Sequence, residues 1–372
     1  METSKLNWYQ LTHEDEVDTP ALIVNLSKAK SNIQKAIAKV GNAKRLRPHV
    51  KTNKSIEGCR LMMEAGIDKF KCATIAEAEM LLKAGAKDIL LAYQPVGPKQ
   101  KRWLELIKQH PNVIWACLVD HIQVAGELNS LGATNGVKLN TYMDINAGTN
   151  RTGISPGDGA LELFEYCQTL PNLLLKGFHL YDGHLRDVDW EKRKKACDAA
   201  FQPLQETWEL LTKKGYQLEM IAGGSTTFSI HAQRENVICA PGTFIYWDAG
   251  YQEILQELDF EPAAAVMCRV VSKPAEGIIC VDLGHKSIAP ENPIENRVYF
   301  QNASSLTPLS QSEEHLVLKV EDDTAYQIGQ VLYGVPHHIC PTVSMYDSVH
   351  VMVDGEITGE WKTIARDKKI NF

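Results

Sequence analysis

The chain has 372 residues and a mass of 41.5 kDa, with 44% hydrophobic and 23% charged residues, a mean hydropathy of −0.23, a net charge of −7 and a pI near 6.0. This composition suits a globular protein with one enzyme-sized domain and a second unit, and it argues against disorder, coiled coil and collagen-like repeats. Lys and Arg are scattered among an acidic excess, so no basic surface for nucleic acid is expected.

The N-terminal stretch METSKLNWYQLTHEDEVDTP carries no apolar core of a secretory leader, and no later stretch is apolar enough for a membrane span. No membrane partner and a cytoplasmic location are therefore expected. ALIVNL (21–26) predicts a strand and SKAKSNIQKAIAKV (27–40) a helix. From there to residue 240, eight apolar runs predict strands: RLRPHVK (45–51), KFKCAT (69–74), DILLAY (88–93), VIWACLV (113–119), VKLNTYMDI (137–145), LLKGFHLY (174–181), LEMIAG (218–223) and VICA (237–240). Helical stretches separate them. The Ala-Gly pairs at 65–66 and 84–85 close two of these helices just before strands. Eight βα units predict an α/β fold, a (β/α)8 TIM barrel over 27–240, with a doubly wound open sheet as the alternative. ALIVNL is a ninth strand that eight barrel places cannot take.

After Pro241 the pattern becomes short alternating or apolar runs, among them VMCRVVSKP, EGIICVDLGHK and SVHVMV, and Asp354-Gly355 predicts a tight hairpin. A C-terminal antiparallel β domain follows from this. Nine cysteines, odd in number and mostly within apolar runs, fit reduced core thiols better than a disulfide framework.

Walker-type phosphate loops, Cys-x-x-Cys and His-Glu-x-x-His are missing from the sequence. Gly153-Ile-Ser155-Pro-Gly157 matches the nucleophile-elbow pattern, but Pro156 has no N–H for an oxyanion hole, which excludes a serine hydrolase. Lys51 ends the first barrel run, at the mouth where a Schiff base to a carbonyl cofactor could form; a lysine reaching solvent is the plainer alternative. Gly223-Gly224-Ser225-Thr226 follows the seventh run and suits a phosphate, or is simply a Gly-rich turn. Arg151, in a loop of small polar residues, could face a ring nitrogen or carboxylate, or serve as a surface ion-pair partner. In HHICPT, His338 and Cys340 would share one face of extended backbone and suit a zinc ion with open positions, the alternative being a buried thiol beside a hydrogen-bonded histidine.

Taken in order, DTPALIVN, RPHVKT, CATIAEAEMLL, the Arg151-Thr-Gly loop, GFHLYDGH, AGGSTTF, APGTFIYWD, EEHLVL and HHICPT resemble the D-threonine aldolase and D-serine dehydratase-like family, pyridoxal-phosphate enzymes of the alanine racemase fold type. The likeness spans nearly the whole chain. It implies a barrel over 27–240 and a β domain formed by 1–26 and 241–372, which gives ALIVNL a place. It also implies a homodimer with the active site near the subunit interface. On this resemblance Lys51 is the Schiff-base lysine and Arg151 the partner of the pyridine nitrogen. Gly223, Gly224, Ser225 and Thr226 hold the phosphate with Tyr246, Tyr181 lies against the ring, and His338 with Cys340 binds a divalent metal. Zn2+ is favoured for that site, with Mg2+ and Mn2+ open.

Two positions depart from the family pattern: Asn53 stands where a histidine is frequent, and Asp187 where aldolase members commonly have one. The resemblance implies a lyase for D-3-hydroxy amino acids. The thiol at 340, where aldolase members tend to carry a carboxylate, favours dehydration to a 2-keto acid and ammonia. Retro-aldol cleavage to glycine and an aldehyde is the alternative, with Asp187 or a water it orients as base. A racemase or a non-enzymatic pyridoxal-phosphate carrier remains a further reading that would need no metal. The roles of His49, His179 and His184 stay open.

Overall fold

A computed structural model describes residues 6–371. The strands are β1 (Ala21–Asn25), β2 (Phe70–Cys72), β3 (Asp88–Leu91), β4 (Ile114–Val119), β5 (Leu139–Asn146), β6 (Leu173–Tyr181), β7 (Glu219–Ala222) and β8 (Val237–Cys239), then β9 (Ala264–Ala275), β10 (Ile278–Val281), β11 (Val298–Phe300), β12 (Thr307–Gln311), β13 (Leu316–Lys319), β14 (Val331–Pro336), β15 (Ser348–Val353) and β16 (Glu356–Lys362). β2 to β8 pair in sequence order as one parallel sheet, each strand followed by a helix that returns the chain to the start of the next.

The expected first barrel strand, 45–51, is not a ladder strand. It meets the two sheet edges through isolated parallel bridges, Leu46 to Cys239 of β8 and His49 to Lys71 of β2. Pro48 has no N–H, so a regular ladder cannot run through the segment. Arg47 N donates to Cys239 O at 2.8 Å and Val50 N to Lys71 O at 2.9 Å, which closes the ring all the same. An ion pair locks that closure, with Arg47 Nη1 2.6 Å from Asp88 Oδ1 of β3.

The helix Ile75–Ala84 shows how the repeating unit is bounded. Thr74 Oγ1 accepts the Glu77 N–H, and Gly85 ends the helix at φ +104°, a value that disfavours any side chain. The wholly buried Glu77 takes Lys54 Nζ at 2.5 Å, and the equally buried Glu79 accepts the N–H groups of Ile370 and Asn371 at 3.2 Å. Glu79 directly, and Lys54 by also donating to Ala365 O at 3.3 Å, tie the barrel to the C-terminal residues.

The second sheet runs β12-β13-β10-β9-β1-β15-β16, with β14 pairing β9 and β11. β1 lies between β9, antiparallel to it, and β15, parallel to it. All five of its residues are buried, which explains its unbroken apolar run. The turn between β15 and β16 has Asp354 at φ +49° and Gly355 at φ +87°, as the Asp-Gly pair predicts. One apolar cluster joins both units, running from Val24 and Ile33 through Phe70 and Leu91 to Val266 and Ile279. Among the described residues no helix is long and apolar enough to cross a membrane.

Candidate active site

Lys51 leaves the closing segment at the carboxyl ends of the barrel strands, the end from which the βα loops project. Its N–H donates to His49 Nδ1 at 3.3 Å, and it is half-buried. Burial and the charges of Lys51 and Lys71 hold His49 well below the usual histidine range, so it stands neutral.

The loop after β7 is shaped by glycines. Gly223 has φ +85°, and a Cβ on Gly224 would fall 2.8 Å from Tyr181 Cε2, so only hydrogen lets the Tyr181 ring lie against this backbone. Thr226 Oγ1 is buried without a hydrogen-bond partner, and Tyr246 Oη lies beside Ser55 without completing one. The open buried hydroxyl of Thr226 within the glycine loop fits a phosphate group, whose oxygens would accept from it, and Tyr246 Oη is a second open buried hydroxyl.

A fully buried network stands behind this loop. Thr227 Oγ1 is 2.5 Å from Asp182 Oδ1 and accepts the Gly224 N–H at 3.4 Å. Asp182 Oδ2 takes His231 Nε2 at 2.8 Å, while Arg234 donates to His231 Nδ1 at 2.7 Å. Guanidinium can only donate, so His231 carries its proton on Nε2. Asp182, Cys197 and His231 lie close enough to suggest a cation site. Both ring nitrogens of His231 are engaged, however, and the carboxylate is shared by three side chains, so the cluster is a hydrogen-bonded support. Burial opposes ionisation of Asp182, but His231, Thr227 and Cys197 outweigh it and keep its carboxyl below the ordinary value.

Arg151 places its guanidinium carbon 4.8 Å from the Tyr181 ring centroid. Its loop folds back because Asn146 Oδ1 accepts the N–H groups of Gly148 and Asn150 at 2.9 and 3.1 Å, returning Ile154 to pair with Ile145. Lys71 Nζ lies 6.0 Å from the same centroid. It contacts His179 Nε2 at 3.3 Å, and His179 Nδ1 meets Asp144 Oδ1 at 2.7 Å. Asp144 can only accept while ionised, so His179 donates from Nδ1 and offers Nε2 to the lysine. Burial first, then the charge of Lys51, lowers Lys71 to about 7. Sequence reasoning missed Lys71: it lies on β2 and His179 on β6, strands that do not pair, so no register or local spacing announces that the two side chains meet.

His338 and Cys340 come together, although not on extended backbone. His338 is extended and Cys340 sits in the first turn of the helix Ile339–Val343, oriented by Asp248 Oδ2 accepting the Ile339 N–H at 3.0 Å. Burial pushes the Cys340 thiol up, but the hydrogen bond with His338 and the charge of Lys51 outweigh it and leave the thiol below its ordinary value. Burial would lower His338, yet its bonds with Cys340 and Glu291 raise it to about 9. Thr52 Oγ1 lies 3.0 Å from Cys340 Sγ, so the residue after Lys51 touches the second unit. His338 Nδ1 is 2.5 Å from Glu291 Oε1, which orients the ring as a ligating histidine is oriented by a carboxylate. An imidazole so held and a thiol readily ionised fit a zinc-type ion.

His338 opens onto a cleft of about 340 Å³ that also exposes Arg186 and Tyr251. Asp187 does not line it: the residue is exposed and its Oδ1 accepts the Asp189 N–H at 3.0 Å. Asn53 is buried and leans on Ser55 and Cys59. His184 is exposed near Gly148. The structure therefore brings Lys51, Arg151, Tyr181, Gly223 to Thr226, Tyr246, His338 and Cys340 to one end of the barrel, and leaves Asp187 outside.

Residues 24–249 match the family model described as "Alanine racemase, N-terminal domain", and residues 263–352 match "Putative serine dehydratase domain". The chain is 25% identical over 368 residues to the 3-hydroxy-D-aspartate aldolase of Paracoccus denitrificans (strain Pd 1222), covering 95% of this chain and 94% of that protein. It is 28% identical over 359 residues to the D-threonine aldolase of Arthrobacter sp, covering 94% and 93%. To the D-threo-3-hydroxyaspartate dehydratase of Delftia sp. (strain HT23) it is 22% identical over 367 residues, covering 92% and 96%. The crystal structure of D-threonine aldolase from Filomicrobium marinum superposes with a TM-score of 0.87 at 25% identity, covering 98% of this chain and 99% of that one.

Proposed function

The chain belongs to the alanine racemase N-terminal domain family, and from that premise we propose that it is a pyridoxal-phosphate-dependent lyase that dehydrates D-3-hydroxy amino acids to a 2-keto acid and ammonia. The observation that carries the reaction is the placement of a thiol, Cys340, two residues from His338 and 3.0 Å from Thr52 Oγ1, the residue after Lys51. A soft donor there suits a zinc-type Lewis acid poised at a leaving hydroxyl.

Bound pyridoxal phosphate supplies an electron sink for negative charge at the substrate Cα. Lys51 would provide the amine that anchors it, with Arg151 available to its ring nitrogen and Tyr181 to its ring face. Gly223, Gly224, Ser225, Thr226 and Tyr246 would hold its phosphate. In turnover Lys51 Nζ would take the proton from Cα. A divalent ion on His338 and Cys340 would polarise the 3-hydroxyl.

Retro-aldol cleavage is kept as the second reading because two relatives are named aldolases. It needs a base for the hydroxyl proton, and the candidate, Asp187, is exposed and does not line the cleft that His338 opens onto. A homodimer and a cytoplasmic location belong to the same proposal; nine unpaired cysteines support a reducing compartment. Light scattering checks the first.

Ammonia with a 2-keto acid from a D-3-hydroxy amino acid supports dehydration, while glycine with a trapped aldehyde replaces it by the aldol reading. Lys51→Ala should lose the visible absorption band of the cofactor and all turnover. A variant that keeps the band would sink the cofactor assignment. Chelation should abolish turnover with the band retained; an enzyme indifferent to chelation would be racemase-like.

A further inference from the structure

Lys54, three residues after Lys51, has φ +48°. The other non-glycine residues with positive φ among the described residues are Asn150, Trp247 and Asp354. Asn and Asp tolerate that region because a short polar side chain bonds its own backbone there, whereas a lysine gains nothing from it. Such a conformation persists only where its surroundings over-determine it. Lys54 is held in three ways. Its N–H donates to Val50 O at 3.1 Å, closing a turn around Lys51. Its Nζ lies 2.5 Å from Oε1 of the wholly buried Glu77, whose other oxygen accepts the Ala73 N–H at 2.6 Å. Its carbonyl accepts the Ala365 N–H at 3.2 Å while its Nζ donates to Ala365 O at 3.3 Å, so residue 365 grips both the main chain and the side chain of residue 54. Beyond Ala365 the chain is fastened a second time, by the N–H groups of Ile370 and Asn371 on the wholly buried Glu79.

We propose, resting on the assignment of Lys51 as the anchor of the cofactor, that residues 364–371 form a strap that acts through Lys54, a positioning residue, to hold the turn in which Lys51 is presented. With the strap removed, Lys54 keeps Glu77 but loses both bonds to Ala365. Its backbone then relaxes towards negative φ, and the residues of the turn, Lys51 among them, rotate with it. The glycine loop after β7 has no part in this contact, so the phosphate contacts stay as they are.

The test compares pyridoxal 5'-phosphate with pyridoxine 5'-phosphate, an alcohol that can use the same phosphate and ring contacts but cannot form a Schiff base with Lys51. Both are titrated by fluorescence into the apoproteins of wild type, of a chain ending at Thr363, and of full-length Lys54→Gln and Lys54→Arg. In the shortened chain and in Lys54→Gln the affinity for pyridoxal 5'-phosphate should fall roughly tenfold, while that for pyridoxine 5'-phosphate should stay within about twofold. Lys54→Arg, which still reaches Glu77, should recover part of the loss. Equal weakening of both ligands would make the strap a general support of the barrel and overturns the proposal. So does a loss on shortening that Lys54→Gln fails to reproduce. If the shortened chain does not fold, full-length Lys54→Gln decides alone. Borohydride reduction followed by peptide mass separates the two readings. A wild type whose Lys51 stays unmodified overturns the cofactor assignment and the strap with it, whereas Lys51 modified in wild type, with unchanged affinities in the variants, overturns the strap alone.

Discussion

Lys71 contributes charge to a place that has almost no water. The unfolded chain keeps a proton on this lysine up to about pH 10.5, whereas the folded chain releases it near pH 7. Between those values the unfolded state binds more protons, so stability rises with pH across that window and the burial cost is fully present below it. Lys71→Met removes the charge but leaves His179 Nε2 without its partner, a loss of about 1–3 kcal/mol. The depressed pKa corresponds to a penalty of about 5 kcal/mol at low pH. The apoprotein of Lys71→Met should therefore be more stable than wild type by roughly 3 kcal/mol at pH 6, and less stable by about 1–3 kcal/mol above pH 10.5. Denaturant titrations at several pH values would show the two curves crossing; parallel curves would mean that Lys71 is not buried as a charge. Lys51 was legible in the sequence because it ends an apolar run, and His338 with Cys340 because their spacing is local. Lys71, His179 and Asp144 sit on β2, β6 and β5, far apart in the chain, and no local pattern announces that they meet.

The loop after β7 depends on elements that precede and follow it. Asp182 follows β6, and His231 and Arg234 come after the loop, yet all three converge on Thr227 and the Gly224 N–H. Thr227→Val keeps the shape and removes the hydroxyl, leaving Asp182 with one acceptor oxygen unsatisfied in a dry site. Stability should fall by about 1–3 kcal/mol, and cofactor affinity by roughly tenfold, since a displaced loop loses about one hydrogen bond's worth of binding. A fluorescence titration with pyridoxal phosphate would measure the second effect, and unchanged affinity would separate the network from the loop. The closing segment makes a comparable demand. Asp88→Ala leaves the Arg47 guanidinium, 1% exposed, without its counter-ion, and should cost roughly 3–5 kcal/mol by chemical denaturation. The βα alternation, the glycine-closed helices and the Asp-Gly hairpin were readable from spacing and turn chemistry. The eighth barrel position was not: RLRPHVK is apolar enough for a strand, but Pro48 turns it into two bridges flanking a bend.

The molecule as a whole was only half-legible for a related reason. Composition and periodicity separate a barrel from a β unit, but they cannot state that β1, first in the chain, is paired on both sides by strands more than 230 residues later. That pairing makes the two units interdependent. The helix Leu26–Val40 continues directly from β1 and packs within the same apolar cluster as the barrel, while Glu79 holds Ile370 and Asn371 on the barrel side. Cys340 lies against Thr52, so the site itself is assembled from both. A core continuous across the division predicts one cooperative unfolding transition, in which the calorimetric and van't Hoff enthalpies agree. Val24→Ala, at a wholly buried position of β1, should lower that single transition by about 1–3 kcal/mol without splitting it. Pyridoxal phosphate should raise the midpoint of the same transition although its expected contacts lie in the barrel, because binding to the native state stabilises every part that unfolds with it. Two resolved transitions, only one of them moved by the cofactor, would show that the units fold independently and that β1 merely borders the second sheet.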